Sequence, residues 1–328
     1  VGQAIAEETP PNQKIVLGGD GRTSTPQLLS GLRKGIGQPC IDLGYGIPTP
    51  LLYVAREIHS AYTSIMVTAS HNPPQYNGLK IQIGPRPVTP ERLERIRQRT
   101  KSLPPPPLAL PLHAVNPSGE SLEARSVYCS DIYHRFPEGE GRIIAIDCMH
   151  GCMSSFASEA LGAHGYQVTA IRNAQAGDFH GLTPDPSTDQ NLTELMETVR
   201  TSGAQFGAAL DGDGDRVRFV DETGTLLDNG AALVLFSKFP PNPDTPHSGK
   251  VIVYDQKMRL SVLGALRKSG LSPLRERSGH TFIRSRVLDE DAMMGGEVSG
   301  HLFWGKGRHL VRAGDCGLYS IFAMGELL

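Results

Sequence analysis

Three stretches of the chain open in the same way: Lys14–Asp20 (KIVLGGD), Arg142–Asp147 (RIIAID) and Lys250–Asp255 (KVIVYD). Each is a basic residue, a short apolar run and an aspartate, the pattern of a strand buried on both faces that surfaces at its carboxyl end. Helical patterns with apolar residues three and four apart follow at Thr25–Leu32, Ser154–Leu161 and Arg259–Leu266. Later in each unit a further apolar run ends in a polar loop: Thr68–Pro73, Asp211–Arg216 and Gly296–His301. The alternation predicts three similar α/β units. Ligand sites of open α/β sheets gather at the carboxyl ends of strands, so the three loops are expected to face one cleft.

Proline-rich segments punctuate the repeat. Leu103–Pro107 through Asn116–Gly119 and Phe239–Pro243 read as extended connectors hostile to helix. The expected division is 1–136, 137–238 and 239–328, with the helix-like stretch Ser126–Phe136 able to join either neighbour. A chain of 328 residues is long enough for two or three cores. With 32 basic and 34 acidic residues it has no basic field suited to nucleic acid, so any phosphate recognition is local. No run approaches the roughly 20 apolar residues of a membrane span. The five scattered cysteines fit reduced thiols, and Cys148 and Cys152 lack the second pair that a zinc site needs. Val1–Ala4 has neither the basic nor the apolar region of a signal peptide, and the expectation is a soluble, cytoplasmic protein.

Two of the loops carry reactive groups. Ser70 follows the apolar run Ile65–Met66–Val67 and precedes His71–Asn72–Pro73, which breaks the strand and exposes the hydroxyl on a turn. Asp211, Asp213 and Asp215 alternate with glycines and precede Arg216. Such spacing also opens a calcium-binding loop, with Glu222 at its twelfth position. Arg216 occupies the sixth position, where that loop needs glycine, and both flanks read as strands rather than helices. The three carboxylates are hard oxygen donors that suit Mg²⁺, and the glycines between them let the backbone curve around an ion.

Thr68–Pro73 and Asp211–Arg216, followed in order by Gly279–His280 and Gly296–His301, resemble the active-site signature of the α-D-phosphohexomutases, the family of phosphomannomutases, phosphoglucomutases and phosphoglucosamine mutases. Asp178–Pro186 and Asp315–Ser320 extend the likeness over the first three family domains. The resemblance implies α/β domains with mixed sheets between helices around a shared cleft. It also implies an isomerase that moves a phosphoryl group between O1 and O6 of a hexose phosphate through a phosphoserine and a 1,6-bisphosphate. Ser70 would carry the phosphoryl group, and Asp211, Asp213 and Asp215 would hold Mg²⁺ together with the Ser70 phosphate. Lys80 would lie near the reacting hydroxyl, and Arg216 would fork onto phosphate oxygens. His71 and His301 would be candidate proton carriers. Glu297 and Ser299 would bind sugar hydroxyls, and Lys257 and His280 would face the phosphosugar. Glucose 1,6-bisphosphate would serve as activator, with a small-molecule hexose phosphate as the partner.

Gly19 stands where many family members have arginine, although Asp20 and Arg22 match. The family's fourth domain has no counterpart after Leu328, nor its Tyr-Asp-Ile-Arg-Gly-like opening before Val1, so the chain as given is expected to turn over more slowly than a four-domain relative. Val298 is closer to the hydrophobic residue of mannose- and glucose-phosphate loops than to the glutamine common in phosphoglucosamine mutases. The alternatives are a phosphoglucosamine mutase and a non-catalytic sugar-phosphate-binding paralogue.

Overall fold

The computed structural model describes residues 1–104, 119–239, 249–305, 307 and 309–328. The proline-rich connectors fall outside them, apart from their flanks. The first unit contains α1 (Gly2–Glu7), β1 (Ile15–Gly19), α2 (Thr25–Ile36), β2 (Ile41–Tyr45), α3 (Thr49–Ile58), β3 (Thr63–Val67), β4 (Leu79–Ile83), β5 (Arg86–Pro87) and α4 (Pro90–Ser102), and α5 (Gly119–Arg135) follows it. Next come β6 (Ile143–Asp147), α6 (Phe156–Ala163), β7 (Gln167–Ile171), α7 (Thr193–Ser202), β8 (Phe206–Leu210), β9 (Val217–Asp221) and α8 (Asn229–Phe236). The last unit holds β10 (Gly249–Asp255), α9 (Leu260–Lys268), β11 (Ser272–Glu276), α10 (His280–Asp289), β12 (Ala292–Gly296), β13 (Leu302–Trp304), β14 (Gly314–Asp315) and α11 (Gly317–Leu327).

The repeated opening segment is the inner strand around which every sheet is wound. The orders are β2-β1-β3-β4-β5, β7-β6-β8-β9 and β11-β10-β12-β13-β14. In each, two parallel neighbours flank the opening strand and the next strand is antiparallel, so the sheets are mixed. The chain first crosses to one side of the opening strand and then to the other. The crevice where strand order reverses is where such folds bind ligands, and the Ser70, Asp211 and Glu297 loops all leave the third strand there.

The shared aspartate has a local cause. Asp20, Asp147 and Asp255 are buried, and each accepts from the backbone N–H two residues on: Arg22 at 3.1 Å, Met149 at 2.9 Å and Lys257 at 3.0 Å. The carboxylate thus closes a turn that steers the chain out of the strand. Ser155 takes a φ of 60°, so α6 starts at Phe156 rather than at Ser154 as its pattern suggests. Pro26 and Pro50 fit the first turns of α2 and α3, and Gly37 ends α2 in the left-handed region at φ 66°.

The largest core joins all three units, with Met66, Phe219 and Trp304 in one buried cluster. Helix α11 is apolar on every side and buried from Gly317 through Gly325. It lies on the second unit, where Tyr166 meets Phe322 at 6.0 Å and Arg142 donates to the Gly325 carbonyl. Helix α5 bridges in the same sense: Tyr133 stacks on His164 at 4.7 Å, and the Tyr128 hydroxyl lies 2.7 Å from Cys316 Sγ. Buried side chains such as Phe303 and Phe322 contribute roughly 1.5–3 kcal/mol each. All five cysteines are free thiols. Among the described residues no helix is long and apolar enough to cross a membrane.

Candidate active site

Beyond β3, Ser70 adopts φ 53°, a left-handed conformation that costs a non-glycine residue free energy. Arg22, fully buried, holds it there. Its Nη2 donates to the carbonyls of Ser70 (2.6 Å) and Asn72 (2.8 Å), and its Nη1 to those of Pro73 (2.7 Å) and Tyr76 (3.1 Å). Its Nε donates to Asp20 Oδ2 at 2.9 Å, so the five donors of the guanidinium are all used. Phe179 covers it with its ring centroid 5.0 Å from Cζ.

The aspartate loop meets this loop directly. Ser70 Oγ donates to Asp211 Oδ2 at 2.8 Å, and a Cβ placed on Gly212 would come within 2.6 Å of the Ser70 carbonyl, so only glycine permits the approach. Each unit supplies one backbone N–H to this loop: Thr49 to Asp213 O (2.9 Å), Cys152 to Gly212 O (2.9 Å) and Gly317 to Gly214 O (3.1 Å). Asp211, Asp213 and Asp215 are buried, with carboxylate oxygens mutually within 4.8 Å. Lys80 Nζ bonds Asp213 Oδ2 at 2.7 Å and also Asp215 Oδ2, and Thr49 Oγ1 donates to Asp213 Oδ2 at 2.5 Å. Asp213 Oδ1 and Asp215 Oδ1 are buried without a hydrogen-bond partner among the described residues.

Burial, then the charges of Asp215 and Asp213, push the Asp211 carboxyl up to about 8. Burial acts on Asp213 in the same direction, but Lys80 and the Thr49 hydroxyl outweigh it and bring that carboxyl down to about 2. Three hard oxygen donors with orphaned buried atoms and one surplus negative charge fit a divalent cation.

The third loop brings histidine and glutamate. Arg216 Nε donates to His301 Nε2 at 2.9 Å, and His301 Nδ1 faces Asp315 Oδ2 at 2.8 Å. That pairing puts the ring proton on Nδ1. Burial works against a second proton on His301, yet the Asp215 and Asp315 carboxylates hold its affinity above the usual value. His71, with Nδ1 3.4 Å from Ser70 Oγ, is pushed the other way by burial and by Arg216. Glu297 is buried and already oriented, accepting from Gly279 N and Ser299 Oγ, both at 2.8 Å.

Ser70, Lys80, Asp211, Asp213, Asp215, Arg216 and His301 thus form one connected network. His280 reaches it through Asp315, 3.1 Å away. His71 borders it, and Glu297 and Ser299 form a second pair on the same loop as His301. Lys257 stands apart: its side chain is exposed beyond β10, and its backbone N–H serves Asp255. Thr49, Asp315 and the clamping role of Arg22 escape sequence reasoning. Thr49 lies in Pro48–Thr49–Pro50, which signals only a helix start, and Asp315 enters only as part of the Asp315–Ser320 likeness, with no role of its own.

Three family models match in order: phosphoglucomutase/phosphomannomutase alpha/beta/alpha domain I over residues 1–105, domain II over 126–224 and domain III over 232–328. A phosphomannomutase/phosphoglucomutase of Pseudomonas aeruginosa is 30% identical over 333 residues, covering 100% of this chain and 69% of that protein. A phosphoglucomutase of Neisseria gonorrhoeae is 30% identical over 319 residues, covering 93% of this chain and 65% of that protein. The crystal structure of a phosphoglucomutase/phosphomannomutase family protein from Burkholderia thailandensis superposes with a TM-score of 0.83 at 25% identity, over 99% of this chain and 71% of that one.

Proposed function

Because the chain belongs to the phosphoglucomutase/phosphomannomutase family of phosphohexomutases, which are isomerases, we propose that it interconverts the 1- and 6-phosphates of mannose and/or glucose through a phosphorylated Ser70 and a 1,6-bisphosphate intermediate. The observation that carries this reading is the Ser70 hydroxyl, 2.8 Å from Asp211 and beside two orphaned carboxylate oxygens. A phosphoryl group on that hydroxyl would add negative charge to a site already holding three carboxylates. Mg²⁺ held by Asp211, Asp213, Asp215 and a Ser70 phosphoryl oxygen would neutralise that charge and the charge developing in transfer.

The residues then divide the work. The free sugar hydroxyl attacks phosphorus, its new O–P bond forms as the Ser70 Oγ–P bond breaks, and its proton passes to His301 Nε2. Asp315 orients that ring and stabilises its charged form, the role of an acid behind a catalytic histidine. Arg216 releases His301 to fork onto phosphate oxygens, and Lys80 lies at the reacting hydroxyl. Glu297 and Ser299 bind two adjacent hydroxyls in either sugar orientation, while Lys257 and His280 meet the phosphosugar from the third unit. After the bisphosphate turns over, the steps run in reverse and Ser70 is rephosphorylated. Val298 in the sugar loop supports mannose or glucose over glucosamine.

Glucose 1,6-bisphosphate, as activator, should add one phosphoryl group to the chain on Ser70, read by peptide mass analysis, and Ser70→Ala should abolish it. Phosphate on another residue with Ser70 unmodified would overturn the assignment.

A further inference from the structure

A cavity of about 220 Å³ leads off one corner of this site, between the first and third units. Lys80 and His280 stand at its near end, while Ser70, the three aspartates, Glu297, Ser299 and His301 take no part in its lining. Lys80 and Gln82 share a face of β4, so Gln82 lies roughly 6.8 Å further from the carboxylates. His280 and Arg284 are one turn apart on α10 and share its face. The far end is therefore made by Gln82 and Arg284. Between the two ends the lining is mixed, with the apolar Leu52, Pro87 and Val88 beside the hydroxyl-bearing Tyr53, Ser64 and Thr281, and the half-exposed Leu93 stands at the rim.

Both far-end groups are buried and incomplete. Arg284 is 3% exposed, lies over the Tyr53 ring at 4.5 Å, makes no ion pair, and its Nε has no hydrogen-bond partner among the described residues. Gln82 is 4% exposed, donates to the Gly84 carbonyl at 3.3 Å, and leaves Oε1 without a partner among the described residues. Acidic groups of the surrounding elements are engaged elsewhere: Asp289 of α10 pairs with Arg86, Glu57 of α3 with Arg56, and Asp315 with His280 and His301. A guanidinium out of water without a counter-charge costs several kcal/mol, and its fork matches a carboxylate bidentately.

We propose that this cavity binds a small organic carboxylate with an apolar body, its acid group on Arg284 and a hydroxyl donating to Gln82 Oε1. The space suits such a ligand, since a cavity of roughly 150 Å³ already admits benzene. The ligand would bridge β4 and α10 and border Lys80 and His280, so it reaches the reaction through the meeting of two units rather than through the sugar.

The test uses the whole chain with isovalerate, α-hydroxyisovalerate and inorganic phosphate as probes, read by ligand-observed NMR titration and thermal shift. These readouts involve no sugar-phosphate turnover and stand apart from the reading above. Both carboxylates should bind, the hydroxy acid more tightly, and phosphate, which the serine and aspartate loops can take, should not displace them. Arg284→Leu should weaken both acids roughly 10- to 100-fold, the worth of a charge-assisted hydrogen bond. Gln82→Leu should bring the hydroxy acid down to the level of isovalerate. Leu93→Trp, a rim change that removes no core packing, should block both acids in a folded protein. The proposal is overturned if neither acid binds the wild-type chain, if Leu93→Trp binds them as the wild type does, or if phosphate displaces the acids.

Discussion

The serine loop and the aspartate loop touch at Ser70 and Asp211, yet they are built on opposite terms. The serine loop is complete in itself: Arg22 spends every donor on four carbonyls and Asp20, and a strained φ is held without any ligand. In the aspartate loop the backbone is satisfied by N–H groups from all three units, while two carboxylate oxygens, Asp213 Oδ1 and Asp215 Oδ1, are left over among the described residues. The difference teaches where each kind of precision comes from. A group that must be aimed is fixed by satisfied neighbours, whereas a site that must accept an ion keeps unsatisfied atoms in reserve.

The strongest way to break this contrast is Arg22→Met. Removing one member of a buried ion pair strands Asp20 and four carbonyls, and should cost on the order of 3–5 kcal/mol in denaturant unfolding. A loss below about 1 kcal/mol would mean that the clamp is incidental. Next comes the contact between the loops. Gly212→Ala drives a methyl against the Ser70 carbonyl, and the resulting displacement should lower mutase turnover about 100-fold. Unchanged turnover would show that the approach of the two loops is not needed.

The smallest and most discriminating change is Asp211→Asn. The folded Asp211 carboxyl binds its proton up to about pH 8, against the ordinary carboxylate range when unfolded, so the folded state holds more protons between about pH 4 and 8. Stability of the metal-free chain should therefore fall as pH rises through that window, by at most about 1.4 kcal/mol per pH unit for one proton. Asp211→Asn should flatten the slope and leave metal-free stability at neutral pH within about 1 kcal/mol, yet weaken Mg²⁺ binding about tenfold or more. Calorimetric titration and pH-dependent unfolding check both halves. A slope that survives the substitution would place the titrating group elsewhere.

The repeat was legible because a buried strand and its closing aspartate need only local sequence, and the same holds for the polar loops that follow. The start of α6 was misplaced because a positive φ at Ser155 leaves no mark on apolar periodicity. Within the candidate site, Ser70 and the three aspartates stand out because the chemistry is carried by residue type and spacing. Thr49 does not, since its bond to Asp213 joins residues far apart in the chain, and only the fold brings them together. Arg22 was visible as a matching residue, but its five-fold engagement depends on how the serine loop wraps it. Asp315 illustrates the same limit: a lone aspartate ahead of a helix acquires meaning when His301 is found 2.8 Å away.

Helix α11 also governs the order in which this molecule can be finished. It leaves the ribosome after all the other elements described above, and it covers the face of the middle unit around Tyr166. Until residues 317–327 emerge, a nascent chain holds its middle repeat with that apolar face bare, the condition in which chaperones and aggregation compete. A fragment of residues 1–238 should accordingly bind a hydrophobic dye and lose that binding when 249–328 is added in trans; a fragment that binds no dye would show that each repeat seals its own core as it is made.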